Sequence, residues 1–459
     1  MIGNLLKPEL HQLIEQRNFT ELRNALCEFP APDIAEILGD IDPEDCAVML
    51  RVLPNHLAAD VLEHLEVGDL ENLLRALGNE DVARILNEME PDDRTAILEE
   101  LPAKATQRLL NMLSPDERRV AVTLLGYPEG SIARRMTPEY VMVKQEWTVD
   151  QVLEHLREIG KKLESFNQLF VVEPSGTLVG VIRLRSILIS SGETPASALF
   201  EPQTLTLHAY DLQEEAVAFF RKYDRTELPV VDSAGRLVGV VTVDDVLDIS
   251  EEEVTEDMQK MGGMQALDTS YLQTSLFSMI RKRVGWLILL FLGQMFTASA
   301  MGHYENELAT ALVLALFIPL IISSGGNSGS QASTLIIRAL ALRDVALRDW
   351  ARVFRRELVS GLALGLILAA IGYVRIVLSP NREAIFSEHY ALLGLAVSLS
   401  IVSVVCFGSV VGAMLPFVLS KMKLDPAVCS APFVSTCVDV TGIVIYFSVA
   451  QFILKGTLL

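Results

Sequence analysis

Five long, charge-poor apolar stretches fill the second half of this 459-residue chain. A helix needs about 20 apolar residues, in a range of roughly 17 to 25, to cross the hydrocarbon core of a bilayer. The stretches cover roughly Val284–Met301, Leu308–Ile337, Leu358–Val374, Tyr390–Ser420 and Pro426–Leu454. Because lipid does not tolerate unpaired backbone polar groups, the sequence predicts an all-α membrane domain of five spanning helices.

Basic residues beside these stretches predict their orientation, because short basic loops stay on the cytoplasmic side. Arg281, Lys282 and Arg283 precede the first stretch. Further arginines connect the second stretch to the third: Arg338, Arg343, Arg348, Arg352, Arg355 and Arg356. We therefore expect a protein of the cytoplasmic (inner) membrane with its N-terminus in the cytoplasm and its C-terminus outside. No basic-then-apolar leader opens the chain, so we expect no cleaved signal sequence.

A single charge interrupts the last apolar stretch. Asp439 is the only charged residue among the 29 residues of Pro426–Leu454. An ionisable group at mid-membrane costs roughly 3 kcal/mol unless it meets a partner or water, so Asp439 marks an ion or proton path. The alternative is a protonated aspartic acid that only joins helices. On a helix, a polar stripe of hard oxygen ligands would share its face, formed by Ser435, Thr436, Gly442 and Tyr446.

The two halves of the chain differ in charge. Residues 1–280 hold 50 acidic against 24 basic residues, whereas residues 281–459 hold 9 against 14, within a net charge of -21. An acidic soluble half argues against nucleic acid as a partner and favours cations as ligands. The five cysteines fall in cytosolic or membrane segments, where disulfides are not expected.

An internal repeat organises residues 1–129, which we predict to be an acidic helical domain. Asp33–Pro54 (DIAEILGDIDPEDCAVMLRVLP) matches Asp81–Pro102 (DVARILNEMEPDDRTAILEELP) at a period of 48 residues. Each unit predicts helix, capped turn and helix, and stacked units build an all-α superhelix with an acidic edge. The simplest role for the acids at the turns, which include Asp45 and Asp93, is helix N-capping.

A second duplication occupies residues 130–250. Leu169–Leu188 (LFVVEPSGTLVGVIRLRSIL) matches Leu228–Leu247 (LPVVDSAGRLVGVVTVDDVL) at a spacing of 59 residues. Each copy predicts strand, glycine turn, strand and helix, and therefore an α/β pair. The duplicated Gly-x-Leu-Val-Gly core resembles paired cystathionine-β-synthase (CBS) domains, which usually sense ligands and have no catalytic role.

In that family a Thr or Ser followed three residues later by Asp commonly holds a nucleotide. Thr242 and Asp245 have this spacing, whereas Arg183 and Ser186 stand at the corresponding places of the first copy. The resemblance thus implies at most one adenosine nucleotide site, with ATP as a candidate regulator. The alternative is that Thr242 is only a helix N-cap.

An acidic segment, residues 251–283, joins the CBS pair to the membrane domain, residues 284–459, and we expect a long connecting helix there. Eight acids lie between Asp244 and Asp257. Two carboxylates ~5 Å apart repel by about 3 kcal/mol at an effective dielectric of about 20, so divalent cations between them would keep the cluster compact. The interpretation is a cation sensor, and the alternative is a solvated acidic linker.

The order of these parts resembles the MgtE family of magnesium channels. Pro319–Ala341 (PLIISSGGNSGSQASTLIIRALA) and Asp425–Phe447 (DPAVCSAPFVSTCVDVTGIVIYF) are similar to that family's two pore signatures. The resemblance implies a homodimer with a central Mg²⁺-selective pore, which closes when cytosolic Mg²⁺ binds the acidic domains. No catalytic triad, Walker loop or catalytic metal motif is found in the sequence, so we expect no enzyme.

The resemblance also assigns roles to residues. In the pore, Asp439 and its symmetry mate would face a hydrated Mg²⁺, with Ser435 offering its backbone carbonyl and Asn327 lining the path. Helix packing is the alternative role for the glycine- and serine-rich run around Asn327. The candidates for regulatory Mg²⁺ are acids: Asp93, Asp224, Asp245, Asp248, Glu253, Glu256, Asp257 and Asp425.

One competing hypothesis is a proton- or sodium-coupled secondary transporter of Mg²⁺, Co²⁺ or Zn²⁺, in which Asp439 carries the driving ion. Ala431, Cys429 and Cys437 depart from the expected family pattern, and soft thiolates would suit Zn²⁺ or Co²⁺. A flux that collapses with the coupling gradient would favour this hypothesis over a channel.

Overall fold

Two compact units make up the computed structural model, residues 1–252 and residues 253–459. The structure describes residues 2–65, 67–160, 163, 165–201, 204–267, 271–272, 274–380, 386 and 389–457. The boundary between the two units lies inside one helix.

Short helices form the first part of the N-terminal unit. They are α1 Ile2–Glu15, α2 Phe19–Leu26, α3 Ala31–Gly39, α4 Pro43–Val52, α5 Asn55–Glu63, α6 Val67–Ala76, α7 Asn79–Glu88, α8 Pro91–Glu100, α9 Ala103–Leu110 and α10 Pro115–Leu125. Helices two apart in the chain contact each other, α3 with α5, α4 with α6 and α5 with α7. The repeated apolar pairs, such as Ile37 with Leu38 and Ile85 with Leu86, are buried between them. The predicted all-α repeat domain is confirmed.

The turn acids of these helices do not have the predicted capping role. Asp45 and Asp93 occupy the third position of α4 and α8, because a proline begins each helix two residues earlier. The N-cap positions belong to Asp42 and Glu90, and neither side chain makes a cap hydrogen bond. The N-cap prediction for Asp45 and Asp93 is therefore wrong, although acids in a first turn still interact favourably with the helix dipole.

The described residues of the CBS pair form two three-stranded sheets and, before α14, three α-helices. The strands are β1 Met142–Val143, β2 Gln168–Val172, β3 Leu178–Arg183, β4 Leu207–His208, β5 Glu227–Val231 and β6 Leu237–Thr242, and the helices are α11 Val149–Ile159, α12 Leu184–Ile189 and α13 Gln213–Tyr223. In each sheet the first two strands are parallel and the last two antiparallel. Phe170 pairs with Val181 in one copy, and Pro229 pairs with Val240 in the other. The predicted duplication at a spacing of 59 residues therefore extends to strand register.

A long helix, α14, follows β6 directly and covers Val243–Met261. It ends at Gly262 and Gly263, and Gly263 has a φ of +76°, a conformation that favours glycine and stops helices. The connecting helix therefore begins inside the second CBS repeat and covers only the first part of the acidic segment 251–283. The described residues between 262 and 275 are not helical.

The C-terminal unit contains α15 Leu276–His303, α16 Glu305–Thr310, α17 Ile318–Ala341, α18 Trp350–Val377, α19 Tyr390–Lys421 and α20 Ala431–Leu454. Five segments of the described chain are long and apolar enough to cross a membrane: Leu276–His303, Leu312–Ala341, Leu347–Val377, Tyr390–Lys421 and Ala431–Leu454. The predicted membrane domain of five helices is confirmed. Helix α19 contacts α17, α18 and α20 and contributes much of the buried apolar surface.

Glycines allow α17 and α19 to approach at backbone distance. A Cβ on Gly408 would overlap the carbonyl oxygen of Gly325, and a Cβ on Gly412 would overlap that of Gly329. Each helix thus presents glycines four residues apart, the spacing at which small residues bring membrane helices together. No side chain fits between the two backbones at these positions.

Candidate functional site

Asp439 lies half-buried on α20, beside α15. One turn earlier, a Cβ on Gly293 of α15 would lie 2.7 Å from Cγ2 of Thr436. The next residue on α15, Gln294, carries a side-chain amide on this part of the helix, which packs against α20. The carboxylate therefore has a polar neighbour from a second spanning helix and keeps part of its surface open.

The other members of the predicted polar stripe mainly join helices. Ser435 Oγ lies 3.2 Å from Oγ of Ser330 on α17. The Tyr446 hydroxyl is fully buried and donates to the Leu314 carbonyl oxygen at 2.9 Å. The stripe is therefore divided, since Tyr446 fixes the helix packing while Asp439 keeps an open side.

The glycine- and serine-rich run of α17 has a packed side and an exposed side. On the packed side, Ser328 Oγ lies 2.6 Å from Ser409 Oγ, and Ser333 donates to the Cys429 carbonyl oxygen at 3.1 Å. Asn327 is exposed. Helix packing thus accounts for the two buried serines, whereas Asn327 presents an amide away from the packed helices.

Two of the predicted regulatory acids, Glu256 and Asp425, bind one lysine at the end of α14, and Asp257 and Glu253 lie beside them. Lys260 Nζ lies 2.6 Å from Oε1 of Glu256 and 2.7 Å from Oδ2 of Asp425. The other oxygen of Asp425 accepts from Ala427 N at 2.8 Å, because Asp425 caps the short helical turn 426–428. Burial raises the pKa of Asp257, and its neighbours Asp425, Glu253 and Glu256 raise it further.

A second group of acids lies where the helical domain meets the beginning of α14. Burial raises the pKa of Glu63, to which the charges of Asp248 and Asp244 add. Burial likewise raises the pKa of Asp248, while Arg135 and His64 oppose the rise. Carboxylates from two domains therefore approach one another with only partial compensation by basic groups.

Asp93 belongs to a third group of acids inside the helical domain. Carboxylate oxygens of Glu90, Asp92 and Asp93 all lie within 4.8 Å of one another. Asp92 is buried, Asp93 is half-buried and Glu90 is exposed. This spacing would suit oxygen ligands of a divalent cation, whose bonds to oxygen are about 2.0–2.6 Å long.

The residues predicted to hold a nucleotide, Thr242 and Asp245, bind each other. Thr242 Oγ1 donates to Oδ2 of Asp245 at 2.6 Å, and the Thr242 backbone N–H lies 3.3 Å from the same oxygen. Thr242 is buried, and burial raises the pKa of Asp245 to about 6. This pair closes the first turn of α14.

Asp224 stands apart from the other predicted regulatory acids. It ends α13 in the left-handed conformation, with a φ of +47°, and lines a cleft of about 590 Å³ in the CBS pair. Three arginines also line this cleft: Arg183, Arg185 and Arg225. The cleft is therefore suited to an anion, and its basic lining includes the first-copy counterpart of Thr242.

Sequence reasoning missed Lys260, Gln294 and Arg135. Lys260 follows Glu256 by four residues, a spacing that puts both on one side of a helix and could have revealed the pair. Gln294 is the only side-chain amide in α15, which a search for charges alone passes over. Arg135 binds Glu252 at 2.8 Å, but 117 residues separate them and no local pattern links them.

Three family models match this chain. The MgtE intracellular N domain matches residues 29–130, the CBS domain matches residues 130–192 and 197–252, and the divalent cation transporter MgtE matches residues 318–449. A magnesium transporter MgtE of Thermus thermophilus is 40% identical over 333 residues, covering 72% of this chain and 72% of the relative. One of Bacillus subtilis is 31% identical over 328 residues, covering 71% and 70%.

Two solved structures resemble the soluble part. The cytosolic domain of the Mg²⁺ channel MgtE in complex with ATP is 34% identical, with a TM-score of 0.50, and covers 52% of this chain and 98% of that one. The soluble part of a magnesium transporter is 25% identical, with a TM-score of 0.51, and covers 55% of this chain and 99% of that one. The likeness to relatives thus extends over soluble and membrane parts alike.

Proposed function

Because this chain belongs to the MgtE family of divalent cation transporters, we propose that it conducts Mg²⁺ across the cytoplasmic membrane along a path that contains Asp439. The observation that carries the proposal is a half-buried carboxylate within a spanning helix that packs against a second spanning helix, α15. Mg²⁺ gives up its water reluctantly and is usually bound through one or two carboxylates. A single carboxylate among neutral oxygens suits such an ion.

The path is shared between two copies of the chain, as in the proposed homodimer. Asn327 of α17 and Gln294 of α15 are both exposed in one protomer, although both lie within spanning segments. An amide transferred from water to hydrocarbon without a partner costs several kcal/mol, about 4–8 on the cyclohexane scale. A second copy and the water between the copies would cover Asn327 and the side of Gln294 that faces away from its own protomer.

Cytosolic Mg²⁺ closes the path by binding between acids of the soluble half. The groups around Glu63 with Asp248, and around Asp257 with Asp425, hold carboxylates whose charged forms are disfavoured by burial and by one another. A divalent cation between such carboxylates removes the repulsion. At low Mg²⁺ the acids repel, and the closed arrangement loses this support.

The arginine-lined cleft is the proposed place for the phosphates of ATP. Arg183 and Arg225 offer fixed donors that match phosphate oxygens, and Arg185 adds a third cation. Thr242 and Asp245, which close the first turn of α14, stay the proposed nucleotide-binding pair of the second copy. ATP would act here as a regulator without being hydrolysed.

The orientation follows from charge and from the number of spans. The connection between α17 and α18 contains Arg343 and Arg348, and short basic connections stay in the cytoplasm. With five spans, the two ends of the membrane domain lie on opposite sides. We place the soluble half in the cytoplasm and the C-terminus outside.

Flux into liposomes tests the proposed function. Purified protein is reconstituted with a trapped Mg²⁺ indicator, without proton or sodium gradients, as wild type, Asp439→Ala and the control Asp344→Asn. Asp344 lies in the connection after α17, outside the predicted path. Entry through wild type and the control, but not through folded Asp439→Ala, supports an uncoupled Mg²⁺ path. Entry only when a proton or sodium gradient is imposed would support the coupled transporter instead.

A further inference from the structure

Gln294 is an exposed amide near the middle of an otherwise apolar face of α15. It is surrounded along the helix by exposed large apolar side chains such as Phe291, Met295 and Phe296. Such apolar side chains are stable against lipid, whereas an amide without a hydrogen-bond partner is not. Gln294 therefore needs a polar partner at this depth.

Two contacts in register place the part of α15 that contains Gln294 against α20. At Ser430, the N-cap of α20, Trp286 Nε1 of α15 donates to the serine Oγ at 3.1 Å. Two turns later, Gly293 meets Thr436 so closely that a Cβ would lie 2.7 Å from its Cγ2. The α15 and α20 backbones are thus close at Gly293, the residue before Gln294, and Asp439 follows Thr436 by three residues on the facing helix.

A further polar group follows one turn later on α15. Thr297 is only 8% exposed, and among the described residues no group hydrogen-bonds to its hydroxyl. Buried hydroxyls are normally satisfied by protein or water. The side of α15 near Asp439 therefore carries more hydrogen-bonding capacity than the packing of the protomer uses.

We propose that Gln294 is a positioning residue for the Mg²⁺ path, with its amide N–H holding one oxygen of Asp439. The second carboxylate oxygen and the amide carbonyl oxygen then accept hydrogen bonds from the water shell of Mg²⁺. This inference rests on the proposed function and adds to the path a residue of α15. Gln294 itself does not need to touch the metal.

The arrangement favours a hydrated ion over one that loses its water easily. Mg²⁺ keeps several waters, whereas Ca²⁺ binds six to eight oxygens directly in flexible geometry. A carboxylate with one oxygen occupied by an amide is a poorer bidentate ligand for Ca²⁺. Gln294 therefore raises the preference for Mg²⁺ over Ca²⁺.

The test measures initial entry rates in liposomes over a range of Mg²⁺ concentrations, and of Ca²⁺ concentrations with a Ca²⁺ indicator. Gln294→Met has nearly the same length but no donor or acceptor of similar strength. Gln294→Asn keeps the amide and shortens its reach by one methylene. Ser299→Ala is the matched control, because the Ser299 hydroxyl donates only to the Met295 carbonyl oxygen of its own helix.

For both Gln294 variants we expect the half-saturating Mg²⁺ concentration to rise about tenfold, which corresponds to losing ~1.4 kcal/mol from a hydrogen bond to a charged group. The maximal rate should stay within about twofold, since the path itself is intact, and the ratio of Mg²⁺ to Ca²⁺ entry should fall. A purely structural role would lower the amount of folded protein and leave the half-saturating concentration and the ion ratio unchanged.

Unchanged half-saturation and ion ratio in a folded Gln294 variant, alongside loss of entry in Asp439→Ala, would overturn the positioning role and leave the proposed function standing. If Gln294→Met does not fold, Gln294→Asn decides by the same criteria. Failure of wild type to admit Mg²⁺ would overturn the proposed function, and this inference with it.

Discussion

Lys260 and Asp425 form an ion pair with an Nζ–Oδ2 distance of 2.7 Å, and Glu256 completes it on the other side of the lysine. Burial alone would lower the pKa of Lys260, but its hydrogen bonds to Asp425 and Glu256 outweigh burial and raise it. The lysine thus stays charged well beyond neutral pH. The Lys260 ammonium group therefore connects the end of α14 to the turn that precedes the last spanning helix.

Replacing Lys260 should make Mg²⁺ inhibit entry at a lower concentration. In Lys260→Met, the carboxylates of Glu256, Asp257 and Asp425 lose their resident counterion, so Mg²⁺ no longer competes with it. Since a partly exposed pair contributes about 1 kcal/mol, we expect half-maximal inhibition of Mg²⁺ entry at a roughly fivefold lower Mg²⁺ concentration. The half-inhibitory concentration is measured by recording Mg²⁺ entry while the Mg²⁺ concentration on the side of the soluble domains is varied.

Lys421→Met is the matched control for that experiment. Lys421 is exposed at the end of α19, and its removal changes the net charge equally. Its Mg²⁺ response should equal that of wild type. The same half-inhibitory concentration in Lys260→Met and Lys421→Met would show that Lys260 does not compete with Mg²⁺.

The acids between the helical domain and α14 should make Mg²⁺ stabilisation depend on pH. The folded-state pKa values of Glu63 and Asp248 are raised, above unfolded values of about 4.3 and 3.9. Their contribution to stability is therefore present at low pH and is lost as pH rises through the folded pKa values. We expect Mg²⁺ to raise the melting temperature more at pH 7.5 than at pH 5, because protons replace the cation at low pH.

A charge-neutralising pair of substitutions checks that those two acids carry the effect. Glu63→Gln with Asp248→Asn should shrink the Mg²⁺-dependent rise in melting temperature at pH 7.5. Glu44→Gln with Asp116→Asn makes the same change of charge at exposed positions and should leave the rise unchanged. Equal Mg²⁺ responses in the two double variants would remove Glu63 and Asp248 from the proposed sensor.

A buried acid in the second CBS sheet should limit stability at neutral pH. Burial raises the pKa of Glu227 to about 7, although Ser165 and Gln168 donate hydrogen bonds to this residue. Its stabilising contribution is complete below about pH 4.3 and falls as pH rises towards 7, since the unfolded chain releases its proton first. Glu227→Gln should remove that pH dependence and stabilise the protein at pH 8 by roughly 3.5 kcal/mol, the free energy that corresponds to folded and unfolded pKa values of about 7 and 4.3. Thermal unfolding between pH 4.5 and 8 measures it.

The control for Glu227→Gln is Glu146→Gln, an exposed acid of the same CBS pair. It should keep the pH profile of wild type. A profile for Glu227→Gln that runs parallel to wild type from pH 4.5 to 8 would contradict the assignment.

The contact between α17 and α19 should tolerate no side chain. In Gly408→Ala, the new methyl group meets the Gly325 carbonyl oxygen, and the two backbones have to separate. Overpacking of this kind costs typically about 1–3 kcal/mol, so we expect a lower melting temperature and less folded protein in detergent. Gly302→Ala on α15 is the matched control, because a Cβ there meets nothing within 4 Å. Similar melting temperatures for the two variants would contradict the backbone contact.

Much of the fold was predictable because its signals are local. The five spans follow from hydropathy and length, and the duplicated strands follow from alternating apolar residues around Gly176 and Gly235, which both adopt positive φ at the hairpin turns. The two ends of α14 were predicted less accurately. A run of acids indicates solvent exposure and charge repulsion, but the helix begins where Thr242 and Asp245 close its first turn.

The candidate site was predictable only in part. Asp439 stands out because a charge within an apolar spanning stretch is costly unless it meets water, an ion or a polar partner. The partners of the acids did not stand out, because Lys260 meets Asp425 across 165 residues of chain. The sequence also did not show which serines pack between helices. Ser328 and Ser409 become partners only because α17 and α19 approach through their glycines.

The helices of the membrane unit contact one another in two ways: α17 and α19 through their backbones, and α15 and α20 through side chains. Two helices in contact through Gly325 and Gly408 have no side-chain atoms between them, so a change in their spacing would disrupt the backbone contact itself. Helix α15 contacts α20 through side chains, such as Trp286 with Ser430, and most of its surface is exposed. A tilt of α15 would therefore disturb only side-chain contacts. It would change the surroundings of Asp439 without separating α17 from α19.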